Sequence, residues 1–104
     1  MKVTLQKLID DLLVEYSPKK YEEFADLLES NESIISKIME AADTDYNVHF
    51  GESMQDGWYC IDQGNDNYKV YHQERGGLGW GETIVVGKCK AITEVLKASC
   101  YLSI

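Results

Sequence analysis

The residues of this chain with the chemistry for catalysis or metal binding are two histidines, three cysteines and a group of carboxylates. A Cys–His nucleophile needs thiolate and imidazole within hydrogen-bond reach, and Cys60, His49 and His72 are the members present. A hairpin of 58–62 and 67–73, turning through Gln63–Asp66, would set Cys60 opposite Lys69 rather than His72. Acidic surroundings also raise a thiol pKa and keep it protonated at neutral pH. Metal binding would draw on Asp43, Asp45, His49 and Glu52, spaced like the alternate carboxylates of a calcium loop. Such a loop needs glycine in sixth place and glutamate in twelfth; counted from Asp43, those places hold Val48 and Met54. Gly76-Gly77-Leu78-Gly79 has the glycine content of a phosphate cradle, but a cradle opens a helix and usually has a lysine beside it. Here the segment joins two strands and is flanked by Glu74 and Glu82. Cys60, Cys89 and Cys100 are odd in number and form no CxxC pair, so neither a zinc knuckle nor a disulfide framework is expected. They read as buried or half-buried thiols of a reducing cytosol. No catalytic residue, cofactor or metal follows from these patterns.

The elements around these residues change character halfway along. Leu5, Leu8, Ile9, Leu12, Leu13 and Tyr16 recur with helical period, as do Tyr21, Phe24, Ala25 and Leu28, and then Ile34, Ile35, Ile38, Met39 and Ala42. Three helices near 4–16, 18–29 and 32–42 are predicted. Pro18 sits in the first turn of the second, which Ser17 caps, and Ser30-Asn31 caps the third. From Tyr46 the period becomes that of strands: Tyr46–Phe50, 58–62, 67–73 and 82–86, with a glycine-rich connection at 74–79. From Lys88 the helical period returns through Ala91, Ile92, Val95, Leu96, Ser99 and Leu102. The fold class expected is α+β in a single domain over 1–104: three N-terminal helices, an antiparallel sheet of about four strands, and a C-terminal helix packed on the sheet.

Charge narrows the partners. The chain has 104 residues, 10 basic and 18 acidic, for a net charge of −8. Residues 1–52 hold twelve acids and five lysines, whereas 53–104 hold six acids and five bases. Such an anion is repelled by nucleic-acid backbones and anionic membranes and attracted to basic proteins. No apolar run nears the ~20 residues of a membrane span. The opening Met1-Lys2-Val3-Thr4-Leu5-Gln6, soon followed by Asp10 and Asp11, does not read as a secretory signal. A cytoplasmic location is expected.

Gly57-Trp58-Tyr59-Cys60-Ile61, then Tyr68-Lys69-Val70-Tyr71, then Glu74-Arg75-Gly76, a strand and a closing helix with Glu94 resemble small immunity proteins of bacterial polymorphic toxin systems, including contact-dependent growth inhibition. The resemblance covers roughly 57–102. Where that pattern has an aromatic at the last strand–helix junction, this chain has Thr83-Ile84-Val85-Val86-Gly87. The resemblance implies a cytoplasmic, non-enzymatic protein that binds one cognate toxin domain and blocks it, the target being a nuclease with a basic active site. The alternative reading is another acidic inhibitor or adaptor, such as a phage-type nucleic-acid mimic. Oligomeric state is left open.

The contact residues expected are Asp62, Asp66, Tyr71, Glu74, Trp80 and Glu82. The acids among them lie in or beside turns, where a partner reaches them without disturbing the core. Tyr71 and Trp80 offer large apolar area with a polar tip. The helix acids read as a solvating surface.

Overall fold

A computed structural model describes residues 4–74 and 79–104. Helix α1 (Leu5–Tyr16) begins at Thr4, whose side chain accepts from the Lys7 N–H at 3.1 Å. It buries Leu5, Ile9 and Leu12. Leu8 and Leu13, in the expected stripe, are half-buried, and Tyr16 is exposed.

Ser17 does not cap the second helix. It closes the first, in the left-handed conformation at φ +46°, with its N–H on the Leu13 carbonyl. Pro18 disfavours right-handed helix in the residue before it, so the chain must break there. Helix α2 (Tyr21–Ser30) starts only after Lys20 and buries Phe24, Ala25 and Leu28. Asn31 does precede α3 (Glu32–Asp43), but its side chain looks backward and donates to the Leu27 carbonyl at 2.9 Å. It therefore satisfies the last turn of α2 rather than the first turn of α3.

Four strands follow, β1 (Val48–His49), β2 (Gly57–Gly64), β3 (Asn67–Gln73) and β4 (Gly79–Val86), in the spatial order β1-β2-β3-β4. The last helix, α4 (Lys88–Ala98), packs on β2, β3 and β4 and against α2. The α+β architecture expected from the sequence is the one found. β2, β3 and β4 are antiparallel as expected, but β1 lies parallel to β2, with Val48 opposite Trp58 and His49 opposite Tyr59. Parallel neighbours require the chain to return to its starting end before pairing, and residues 50–56 provide that return.

The β2–β3 hairpin departs from the predicted register by one residue. Its turn is the pair Asn65-Asp66, at φ +54° and +63°, the two left-handed residues of a tight hairpin turn. Gln63 is an extra residue in β2, so Cys60 faces Val70, and Lys69 faces Ile61. Strand β4 begins at Gly79, three residues earlier than predicted. Arg75, Gly76, Gly77 and Leu78 of the glycine-rich connection lie outside the described residues.

Alternation gives the sheet two unlike faces. Trp58, Cys60, Tyr68, Val70 and Val85 face the helices and join a core with Ile9, Phe24, Leu28, Ile38, Ile92 and Leu96. Tyr59, Ile61, Lys69, Tyr71 and Ile84 alternate with them onto the other face. All four helices therefore lie on one side of the sheet.

Candidate functional site

The face away from the helices is half covered. On the β1–β2 side Tyr59 is fully buried beneath residues 50–56, and its hydroxyl donates to the Gln55 carbonyl at 2.5 Å. His49 stacks on its ring at 4.5 Å and Tyr71 at 5.3 Å. Gly57 makes this crossing possible. Its φ is +140°, and a Cβ there would lie 2.9 Å from the Asn47 carbonyl oxygen.

The β3–β4 side of the same face is open. Lys69 organises it, with Nζ 3.8 Å from a Glu82 carboxylate oxygen and 5.2 Å from the centre of the Tyr71 ring. The Tyr71 hydroxyl pKa is raised, first by burial and then by the charges around it, Glu52 and Glu82 included. Gly81 at φ +69° and Glu82 together oppose the single residue Tyr71. This is a bulge that needs glycine in the left-handed position, and it turns the strand end that bears Trp80.

Trp80 lies on the helix side of the sheet, beyond the end of the helix packing. Its ring stacks on His72 at 4.5 Å and meets Trp58 edge-on at 5.3 Å. Half of Trp80 remains in water, at 52% exposure. His72 Nδ1 is buried in this cluster without a hydrogen-bond partner among the described residues.

The six expected contact residues thus do not converge on one spot. Asp62 and Asp66 mark the β2–β3 turn, and Tyr71 and Glu82 meet around Lys69. Trp80 joins His72 and Trp58, while Glu74 follows β3 at the opposite end from Asp66. At ~3.3 Å per residue, β3 separates Asp66 from Glu74 by roughly 25 Å. That span is within the reach of one ordinary protein interface.

Sequence reasoning missed two features. The first is the exposure of β4: the sequence marked 82–86 only as a strand, and Ile84 and Val86 are 55% and 64% exposed. The second is a groove of about 580 Å³ at the end of β4, where Val86 and Gly87 meet the starts of α3 and α4 and the face of α2. Asp26, Glu29, Glu32 and Asp66 line it, against Lys88 and Lys90. Three of these acids had read as solvating helix residues. Only the approach of α2 and α3 to the hairpin turn brings them to Asp66.

The candidate catalytic residues are held in other work. His49 Nε2 donates to the Asp56 carbonyl at 3.2 Å, and Asp45 accepts from the Tyr101 hydroxyl. Burial, with a smaller contribution from Asp62, pushes the Cys60 thiol up to about 12. Burial, then the hydrogen bond and charge of Glu29, pushes Cys89 up to about 11. Cys100, expected to be at least half-buried, is exposed, because it follows the last turn of α4 at φ +68°. Among the described residues no group of three or more His, Cys, Asp or Glu is arranged to hold a metal, and no helix is long and apolar enough to cross a membrane. No family model, curated protein or solved structure matches this chain.

Proposed function

We propose that this chain is a cytoplasmic immunity protein, binding a basic toxin domain, by the logic of its charge a nuclease, and neutralising it by occlusion. The observation that supports this best is β4. Its residues Gly79–Val86 are exposed almost throughout, leaving Trp80, Ile84 and Val86 in water on a molecule of net charge −8. Exposed apolar side chains at both ends of one edge strand, Trp80 on the helix side and Ile84 and Val86 on the open face, offer a partner an interaction site. The acid excess selects a basic partner and speeds its approach. Aromatic anchors with acids around them suit a nuclease surface, since carboxylates stand in for substrate phosphates. Asp62, Asp66, Tyr71, Glu74, Trp80 and Glu82 are the contact residues in this reading.

The test is co-expression with a basic toxin domain encoded beside this chain, followed by purification and a nucleic-acid cleavage assay. The expected result is a 1:1 complex in which cleavage is blocked. Protection should survive Cys60→Ser, Cys89→Ser, Cys100→Ser, His49→Ala and His72→Ala singly in folded protein, because occlusion needs no chemistry from the inhibitor. Cleavage that continues unchanged in the complex, or protection abolished by one of these changes in a folded variant, overturns the reading.

A further inference from the structure

Among the described residues β4 pairs only with β3, so its outer edge is free. The register says which backbone groups that edge offers. The Gly87 N–H donates to the Asp66 carbonyl at 2.8 Å. Antiparallel pairs alternate between bonded and non-bonded. Counting back from Gly87, Val85 and Thr83 direct their N–H and C=O groups to β3, opposite Tyr68 and Val70. Ile84 and Val86 therefore direct theirs outward.

Natural edge strands are shortened, charged, bent or covered to stop other chains from pairing with them. The Ile84–Val86 half of β4 has none of these devices. Its one bulge lies at Gly81-Glu82, and its exposed side chains there are Thr83, Ile84 and Val86. Its far end runs into the groove where four acids, Asp26, Glu29, Glu32 and Asp66, outnumber two bases, Lys88 and Lys90. A segment laid beside β4 would place alternate side chains next to Ile84 and Val86 on the open face. Its other side chains would point to the helix side, toward those acids.

We propose that β4 accepts an extended, basic segment of the partner as a fifth strand, with apolar residues beside Ile84 and Val86 and basic residues reaching the acidic groove. Main-chain hydrogen bonds then supply affinity, and the alternating pockets supply specificity. A second copy of this chain is the wrong occupant, since it would bring another −8 to the same groove. The proposal deepens the immunity reading and rests on it for the partner's identity, but the edge itself can be tested without the toxin.

The probe is the peptide acetyl-(Lys-Val)4-amide, with acetyl-(Glu-Val)4-amide as its counterpart, added to the full chain and followed by amide hydrogen exchange and NMR shifts. In the free chain the Ile84 and Val86 amides should exchange quickly, and the Thr83 and Val85 amides slowly. The basic peptide at 1 mM should slow exchange at Ile84 and Val86 at least tenfold, with shift changes at Asp66, Gly87 and Lys88. The acidic peptide should do neither. Ile84→Pro removes an outward donor without touching the β3 ladder and should abolish the effect. Should that variant fail to fold, Ile84→Lys with Val86→Lys keeps the backbone and should weaken peptide binding at least tenfold by charge repulsion.

Without the toxin, the proposal is overturned by no protection at Ile84 and Val86, by equal binding of the two peptides, or by a dimer of the free chain in sedimentation that Ile84→Pro abolishes. A toxin complex that forms equally well with Ile84→Pro overturns strand addition and leaves immunity standing. Peptide protection at β4 together with no protection against the toxin does the reverse.

Discussion

Replacing Gly57 by alanine measures how tightly the β1–β2 crossing is built. The residue sits at φ +140°, a region that costs an L-residue about 1–3 kcal/mol. The new methyl would also lie 2.9 Å from the Asn47 carbonyl oxygen and 2.9 Å from His49 Nε2. The imidazole can yield, but the carbonyl is fixed, because it accepts the Trp58 N–H at 2.9 Å. Overpacking of that kind adds about 1–3 kcal/mol. At the middle of both ranges the sum is about 4 kcal/mol, and each kcal/mol lowers Tm by about 4–8 °C at this size. A fall of about 16–32 °C is expected. Gly81→Ala separates the two causes, since φ is +69° there but the nearest atom, in the Trp58 ring, is 3.4 Å from the new Cβ. Backbone strain alone should cost about 1 kcal/mol, or about 4–8 °C. Gly51→Ala meets nothing within 4 Å and should melt within about 3 °C of the parent, as harmless surface substitutions do. The assay is thermal unfolding by circular dichroism, with the aromatic signal reporting the packing of Tyr59. If Gly57→Ala melts no lower than Gly81→Ala, the parallel crossing is not built as described.

The thiols should separate by reactivity at pH 8, with Cys100 modified quickly by dithiobis(nitrobenzoate) and Cys60 and Cys89 only on unfolding. Their pKa values are raised in the fold to about 12 and about 11 from 9.0, so the associated stability is fully present below pH 9 and declines as pH rises toward those values. The decline approaches about 1.4 kcal/mol per pH unit for each thiol and is checked by denaturant titrations, with Cys60→Ser and Cys89→Ser flattening it. Association with a basic toxin domain should slow markedly between 0.01 M and 0.15 M salt, where the Debye length falls from ~30 Å to ~8 Å, while dissociation changes less; stopped-flow rates indifferent to salt refute a basic partner. Trp80→Ala should weaken that binding by about 30-fold, or ~2 kcal/mol, and Asp66→Lys should act similarly, whereas Glu22→Lys on the outer face of α2 should alter mainly the association rate. Calorimetry on variants with verified melts decides this, and a Glu22→Lys loss exceeding that of Trp80→Ala sinks the assignment of the surface.

What the sequence determined by itself was local in origin. Leu5, Ile9 and Leu12, or Ile92, Val95 and Leu96, share a helix face because 3.6 residues make a turn, and that geometry needs no partner to be read. Tyr68, Val70 and His72 alternate with Lys69 and Tyr71 for the same kind of reason, so the faces of β3 were legible before any packing was known. Tertiary structure decided what depends on residues distant in the chain. The left-handed pair Asn65-Asp66, with Gln63 as an extra residue, set the hairpin register one residue away from the simplest count. The parallel pairing of β1 arose from the return of residues 50–56 across the sheet, which also supplies the cover over Tyr59. The site depended most on such long-range terms. Ile84 and Val86 are apolar yet stand in water, because the four helices fill only the opposite side of the sheet and β4 ends the strand order. Glu29 and Asp66 are far apart along the chain, and they share a groove only because α2 packs on α4 beside the β2–β3 turn. Burial and proximity are properties of the whole packed chain, and no window of sequence contains them.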